Sequence, residues 1–165
     1  MPESSNAVPR IVSVQPRPLT AEAFAPYGKV LDRDPFVLES TEFPFFANVT
    51  TLQPATAPIT YVNRHHDHNQ IFATFGDPMI VIVARPEISA AELNPTQIEA
   101  FITDGRQAIV FAIDTWHLAP RAAGPEPIRA LNVQATNNYV HTERIELAPT
   151  FGCLLQLDLA RPGSA

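Results

Sequence analysis

The sequence is poor in glycine, lysine, cysteine and long apolar runs. Of its 165 residues, 6 are glycine, 1 is cysteine (Cys153) and the only lysine is Lys29. A single cysteine excludes an internal disulfide framework. No apolar run approaches the roughly 18 residues needed to cross a bilayer, and the opening MPESSNAVPR lacks the charged-then-apolar layout of a secretory signal. The glycines form neither a G-x-G-x-x-G nor a G-x-x-x-x-G-K-S/T phosphate loop, and no G-x-S-x-G elbow is present. One lysine disfavours lysine-based covalent chemistry. Basic residues number 11 against 17 acidic ones, a net charge of -6, so the footprint that neutralises nucleic-acid phosphates is missing. These absences predict a cytoplasmic protein that binds neither nucleic acid nor membrane.

What is abundant is proline, with 17 residues, about twice the usual share of about 5%. Each interior proline costs a helix about 3 kcal/mol, and the prolines are spread along the chain. With 45% hydrophobic residues, this is the composition of a packed, strand-rich domain rather than of a disordered linker. Residues 1–10 read as a flexible arm and residues 11–160 as one domain. Thr20 is placed to cap a short helix over 19–24, and Ser89 with Glu92 has the spacing of a capping box. Short strands are expected over 11–14, 43–49, 59–64, 70–75, 98–103, 107–113, 116–118, 128–135, 143–147 and 152–159. The run Met79 to Ala84 is continuously apolar and reads as a strand buried on both faces. Asp104-Gly105 is the strongest hairpin signal, since glycine accepts the positive φ of a tight turn. Pro44, Pro58, Pro78, Pro86, Pro95, Pro120 and Pro149 fall where strands begin or end. Such spacing with little helix predicts an all-β antiparallel sandwich or barrel.

Three of the five histidines lie in Asn63-Arg64-His65-His66-Asp67-His68-Asn69-Gln70. Imidazole is a good ligand for first-row divalent metals, so a histidine cluster flanking two strands is a candidate metal site; the alternative is a solvated turn. Strand parity puts Asn63 and His65 on one face and Arg64 and His66 on the other. Gln70 opens the next strand, and His117 follows Trp116 far along the chain. His65, Gln70 and His117 therefore converge if the strands close a barrel; otherwise Trp116-His117 is a core tryptophan beside a hydrogen-bonded histidine. His141 reads as a surface residue and Cys153 as a small core hydrophobe.

The opening Leu19-Thr20-Ala21-Glu22-Ala23-Phe24-Ala25-Pro26-Tyr27-Gly28, the His65 and Gln70 pair, the segment Ala100-Phe101-Ile102-Thr103-Asp104-Gly105-Arg106-Gln107 and Thr115-Trp116-His117 together resemble the ureidoglycolate lyase family, in this order over roughly residues 18 to 147. The resemblance implies a cupin-type double-stranded β-helix, or jelly-roll barrel, with a few short helices. It implies a lyase of purine-derived allantoin breakdown that cleaves ureidoglycolate to glyoxylate and urea. In that pattern Asn63, His65, Gln70 and His117 stand at the four metal-ligand positions, and His65, Gln70 and His117 match the family while Asn63 does not. Further departures are Leu118 after the Trp-His pair, Phe111-Ala112-Ile113 in the preceding strand, and Asn132-Val133-Gln134 where an acidic residue is usual.

The expected catalytic set is therefore His65, His117 and Gln70. The same three side chains are the expected ligands of a divalent metal (nickel, zinc or manganese), weakly bound or absent because no ligand carries negative charge. Arg64 or Arg106 is expected to clamp the substrate carboxylate through a bidentate fork, with Asn63 and Gln107 contacting the rest of a small-molecule carboxylate. The competing expectation is a diverged cupin without lyase activity, a small-acid or sugar-acid binding protein or isomerase. A homodimer paired through edge strands and the Phe43, Phe45 and Phe46 group is expected.

Overall fold

The computed structural model describes residues 8–40, 42–136 and 139–159. Residues 1–7 of the expected arm lie outside the described residues, and Arg10 is not arm at all: it opens β1 (Arg10–Val14). After β2 (Arg17–Pro18) comes α1 (Ala21–Phe24), which begins where expected because the Thr20 hydroxyl accepts from the Ala23 N–H at 3.1 Å. Then follow β3 (Gly28–Val30), β4 (Phe45–Leu52), β5 (Tyr61–His65), β6 (Gln70–Thr74) and β7 (Met79–Ala84). A 3₁₀ turn (Pro95–Gln97) precedes β8 (Glu99–Ile102), β9 (Ala108–Phe111), β10 (Trp116–His117) and β11 (Arg121–Ala122). The last described elements are β12 (Ile128–Ala135), β13 (Thr142–Glu146), α2 (Leu147–Phe151) and β14 (Cys153–Leu157).

These strands form two main sheets. One has seven strands in the order β13-β5-β10-β7-β8-β2, with β11 also on β7; the other has five in the order β3-β9-β6-β12-β4. β1 pairs with β14 in a separate parallel ribbon. The aromatic core of Phe24, Phe72, Phe101 and Phe111 draws side chains from both sheets together with Met79, Val81 and Val83 of β7, so it lies between them. The other parity of β7, Ile80, Ile82 and Ala84, packs outside the seven-stranded sheet with Trp116, Leu118, Leu147 and Leu155. β7 is thus buried on both faces because it is the wall between two cores, which explains its unbroken apolar run. Two facing, mainly antiparallel sheets around an apolar interior make the expected jelly-roll barrel.

Local expectations fail at three places. β8 and β9 do not form a hairpin: β8 joins β7 and β9 joins β6, so the Asp104-Gly105 turn is a corner between sheets. The glycine signal itself was sound, since Gly105 has φ +83° and a Cβ there would lie 2.3 Å from the Gly76 carbonyl oxygen. The chain cannot fold straight back because Thr103 is tied to Met79, its N–H donating to the Met79 carbonyl at 2.9 Å and its hydroxyl accepting from the Met79 N–H at 3.0 Å. The reciprocal capping box forms at Asn94 and Gln97, not at Ser89, where only the Glu92 carboxylate reaches back. Pro149 ends no strand; it sits in the first turn of α2, where a missing N–H costs nothing, and Gly152 at φ +62° stops that helix. Cys153 is buried, as expected. Among the described residues no helix is long and apolar enough to cross a membrane.

Candidate active site

At one end of the barrel a cavity of about 340 Å³ opens, and Asn63, His65, Gln70, His117, Asn132 and Arg144 are among the residues that line it. Strand pairing puts them together. Asn63 of β5 lies opposite His117 of β10 on one side and Arg144 of β13 on the other, so the three form one rung of the sheet with side chains on the same face. His65 is two residues further along β5 on that face. Gln70 starts β6 in the opposite sheet, and Asn132 lies on its neighbour β12.

His117 is buried and tightly held. Its Nδ1 lies 2.7 Å from the Thr115 carbonyl, and the Thr115 hydroxyl donates to the Tyr27 carbonyl at 2.8 Å. The ring stacks on Phe111 at 4.4 Å and meets His65 edge-on at 5.0 Å. Burial, with the neighbouring His65 second, pushes its pKa from 6.5 down to about 3 against the opposing pull of the Thr115 carbonyl. His117 is therefore neutral at ordinary pH. A carbonyl only accepts, so Nδ1 carries the proton and Nε2 holds the lone pair.

An amide chain leads away from that nitrogen. His117 Nε2 lies 3.1 Å from Gln70 Oε1, Gln70 Nε2 lies 2.9 Å from Asn132 Oδ1, and Asn132 Nδ2 lies 3.1 Å from Asn48 Oδ1. A half-turn of the three amides, exchanging each oxygen with its nitrogen, matches the lone pair on the neutral ring and keeps every link bonded. His65 Nδ1 is 2.8 Å from the Thr142 hydroxyl. Its other face stacks at 4.4 Å on His68, which is itself buried and donates Nδ1–H to Asp67 Oδ1 at 2.7 Å.

Of the residues expected from sequence, His65, Gln70, His117 and Asn63 meet at the cavity. Three do not. Arg64 points out of the barrel, as parity demands, where it pairs with Glu143 at 2.8 Å and lies over the Trp116 ring at 4.4 Å. Arg106 is exposed on the sheet-to-sheet corner, near the Thr74 end of β6 and away from Gln70. Gln107 serves backbone: its amide donates to the Leu19 carbonyl and accepts from the Asp104 N–H, both at 3.1 Å. His141 is half-buried and 3.2 Å from Glu42. Arg144, Asn132 and His68 went unrecognised as site residues. For Arg144 the signal was present, since Thr142-Glu143-Arg144-Ile145-Glu146 alternates and the apolar Ile145 marks the opposite face.

The donor set does not fit a resident divalent ion. His65, Gln70 and His117 supply two imidazoles and an amide with no carboxylate to offset a dication. The third imidazole, His68, is stacked nearly parallel to His65 at 21° and is tied through Nδ1 to Asp67. Among the described residues no group of three histidine, cysteine, aspartate or glutamate side chains is arranged to hold a metal.

A jelly-roll barrel whose wall strands carry imidazoles and amides into an open cavity is a cupin-type protein. The family matched by residues 39–148 is described as ureidoglycolate lyase, and the chain belongs to that family. It is similar to ureidoglycolate lyase 1 of Rhizobium meliloti (strain 1021), 31% identical over 122 residues that cover 61% of this chain and 69% of the relative. It is similar to ureidoglycolate lyase of Pseudomonas savastanoi pv. phaseolicola (strain 1448A / Race 6), 32% identical over 122 residues that cover 61% and 70%. Among solved structures, a dTDP sugar isomerase from Desulfovibrio desulfuricans G20 superposes with a TM-score of 0.48 at 19% identity, covering 74% of this chain and 75% of that one. An oxalate decarboxylase from Lactobacillus farciminis gives 0.41 at 18% identity, covering 74% and 32%.

Proposed function

We propose that the chain is a lyase that cleaves ureidoglycolate to glyoxylate and urea in this cavity. The observation that carries the reading is the convergence of His65, Gln70 and His117, the last two 47 positions apart and in contact, in a chain of this family. The reaction takes a proton from the carbinol hydroxyl, forms the aldehyde C=O, breaks the C–N bond and returns a proton to the departing nitrogen. His65 fits the proton carrier: with Nδ1–H donated to Thr142, Nε2 is its basic nitrogen, and the proton it accepts from oxygen is the one it gives to urea. Gln70 holds the ureido carbonyl with the N–H that His117 does not use, where negative charge grows as the C–N bond breaks. Neutral His117 positions that amide, and Asn63 adds a hydrogen-bonding group on the same rung as His117. A cytoplasmic setting in purine breakdown goes with this reading. For the assembly, a homodimer paired through the free edge of β4 is proposed.

The test is urea release from racemic ureidoglycolate. His65→Ala is expected to lower kcat by about 10²- to 10⁴-fold. His117→Ala costs less, and His117→Asn, which restores an acceptor toward Gln70, recovers part of that loss. Dialysis against a chelator is expected to leave turnover unchanged, because the donor set does not hold a dication. Absence of turnover in the wild type, with and without added nickel, manganese or zinc, overturns the reading in favour of a binding protein or an isomerase.

A further inference from the structure

We propose that Arg144 is the carboxylate anchor of the cavity; the identity of that anion rests on the lyase reading, but the anchor does not. Arg144 is the sole Lys, Arg, Asp or Glu side chain among the described residues lining the cavity. It is also held in a defined plane: its guanidinium carbon lies 3.5 Å from the centroid of the Tyr61 ring, a cation–π contact from the same face of β5. Its Nε donates to Glu146 Oε1 at 2.6 Å, from the same face of β13.

Those two contacts determine what is left over. Glu146 occupies the Nε edge and Tyr61 covers one face, whereas Nη1 and Nη2 have no hydrogen-bond partner among the described residues. Two parallel N–H groups at the end of a fixed guanidinium match the two oxygens of a carboxylate. The rung that carries Arg144 also carries Asn63 and His117, and the half-exposed guanidinium leans to the Tyr61 side of that rung, so a carboxylate on this fork directs the rest of a small α-hydroxy acid toward Asn63. Arg64 and Arg106 offer no alternative, one being bonded to Glu143 outside the barrel and the other exposed on the distant corner.

The experiment compares wild type, Arg144→Met and Arg144→Lys by calorimetric titration with glyoxylate and with its neutral amide, alongside the turnover assay. Arg144→Met is expected to weaken glyoxylate about 10- to 100-fold and to leave the amide unchanged. KM for ureidoglycolate rises by a similar factor while kcat stays within about 3-fold. Arg144→Lys keeps the charge but loses the fork, so glyoxylate weakens by about 3- to 10-fold. Equal weakening of glyoxylate and amide, or unchanged glyoxylate affinity in Arg144→Met, overturns the anchor. If the wild type turns nothing over, the lyase reading fails, and the glyoxylate-to-amide comparison still decides the anchor.

Discussion

His117 shows how the interior of the barrel sets the chemistry of single residues. Its neutral state is a consequence of burial, and burial has a pH signature. The folded pKa, about 3, lies below the ordinary 6.5, so between these values the unfolded chain binds a proton at His117 that the native protein does not. Stability therefore increases with pH through that window and is lost on acidification, by about 1.4 kcal/mol per pH unit where the difference is complete. Above pH 6.5 both states are neutral here and the contribution is flat. Urea denaturation from pH 7 down to pH 4 is expected to show a steeper decline for the wild type than for His117→Asn, and parallel curves would contradict the burial argument. At this scale the sequence was legible wherever parity decided the outcome: Asn63 and His65 inward, Arg64 outward. It was opaque for Arg106 and Gln107, whose positions depend on which sheet the following strand joins, and for His68, which is buried although its neighbour His66 is exposed.

Among elements, the short β3 depends on one close approach. Gly28 pairs with Phe111 of β9, and a Cβ at Gly28 would lie 1.8 Å from the Val110 carbonyl oxygen at a backbone φ of +155°. Gly28→Ala is expected to cost about 3 kcal/mol or more, since both the conformation and the space exclude a side chain. Gly152, which stops α2 at φ +62°, has open space around it, so Gly152→Ala costs only about 1 kcal/mol. Thermal melts of the two variants separate these cases, and equal losses would show that the contact at Gly28 relaxes. Because Phe111 stacks on His117, Gly28→Ala also loosens the site from behind. The strand positions were largely readable from alternation and proline placement; the pairing was not. The Asp104-Gly105 turn specifies a positive φ, but the destination of β9 is decided by Thr103 holding to Met79, a contact between residues 24 apart.

For the molecule as a whole, the edges of the two sheets differ in protection. β13 carries Glu143, Arg144 and Glu146, β2 is two residues long with a proline, and β3 has three residues including Lys29. β4 is eight residues long, FFANVTTL, without charge or proline, and among the described residues it pairs on one side only, with β12. Natural sheets blunt exposed edges with charge, proline or brevity. The proposed homodimer follows if two copies of β4 meet antiparallel and join the five-stranded sheets. Light scattering is expected to give twice the chain mass for the wild type and the chain mass for Val49→Lys, a substitution at a half-exposed position of that edge; a monomeric wild type would remove the proposal.

The two-residue strand β10 has one more consequence. Trp116 faces the outer core and donates its indole N–H to the Ile88 carbonyl at 2.8 Å, while His117, the next residue, faces the cavity. Trp116 is the only tryptophan in the chain, and the Arg64 guanidinium lies over its ring. The protein thus carries a single indole, excited selectively above the tyrosine absorption, set back to back with its site and shielded from direct contact with ligand. A shift of β10 on ligand binding alters the Arg64–indole geometry, so emission from this one residue gives an optical readout of the cavity without any label.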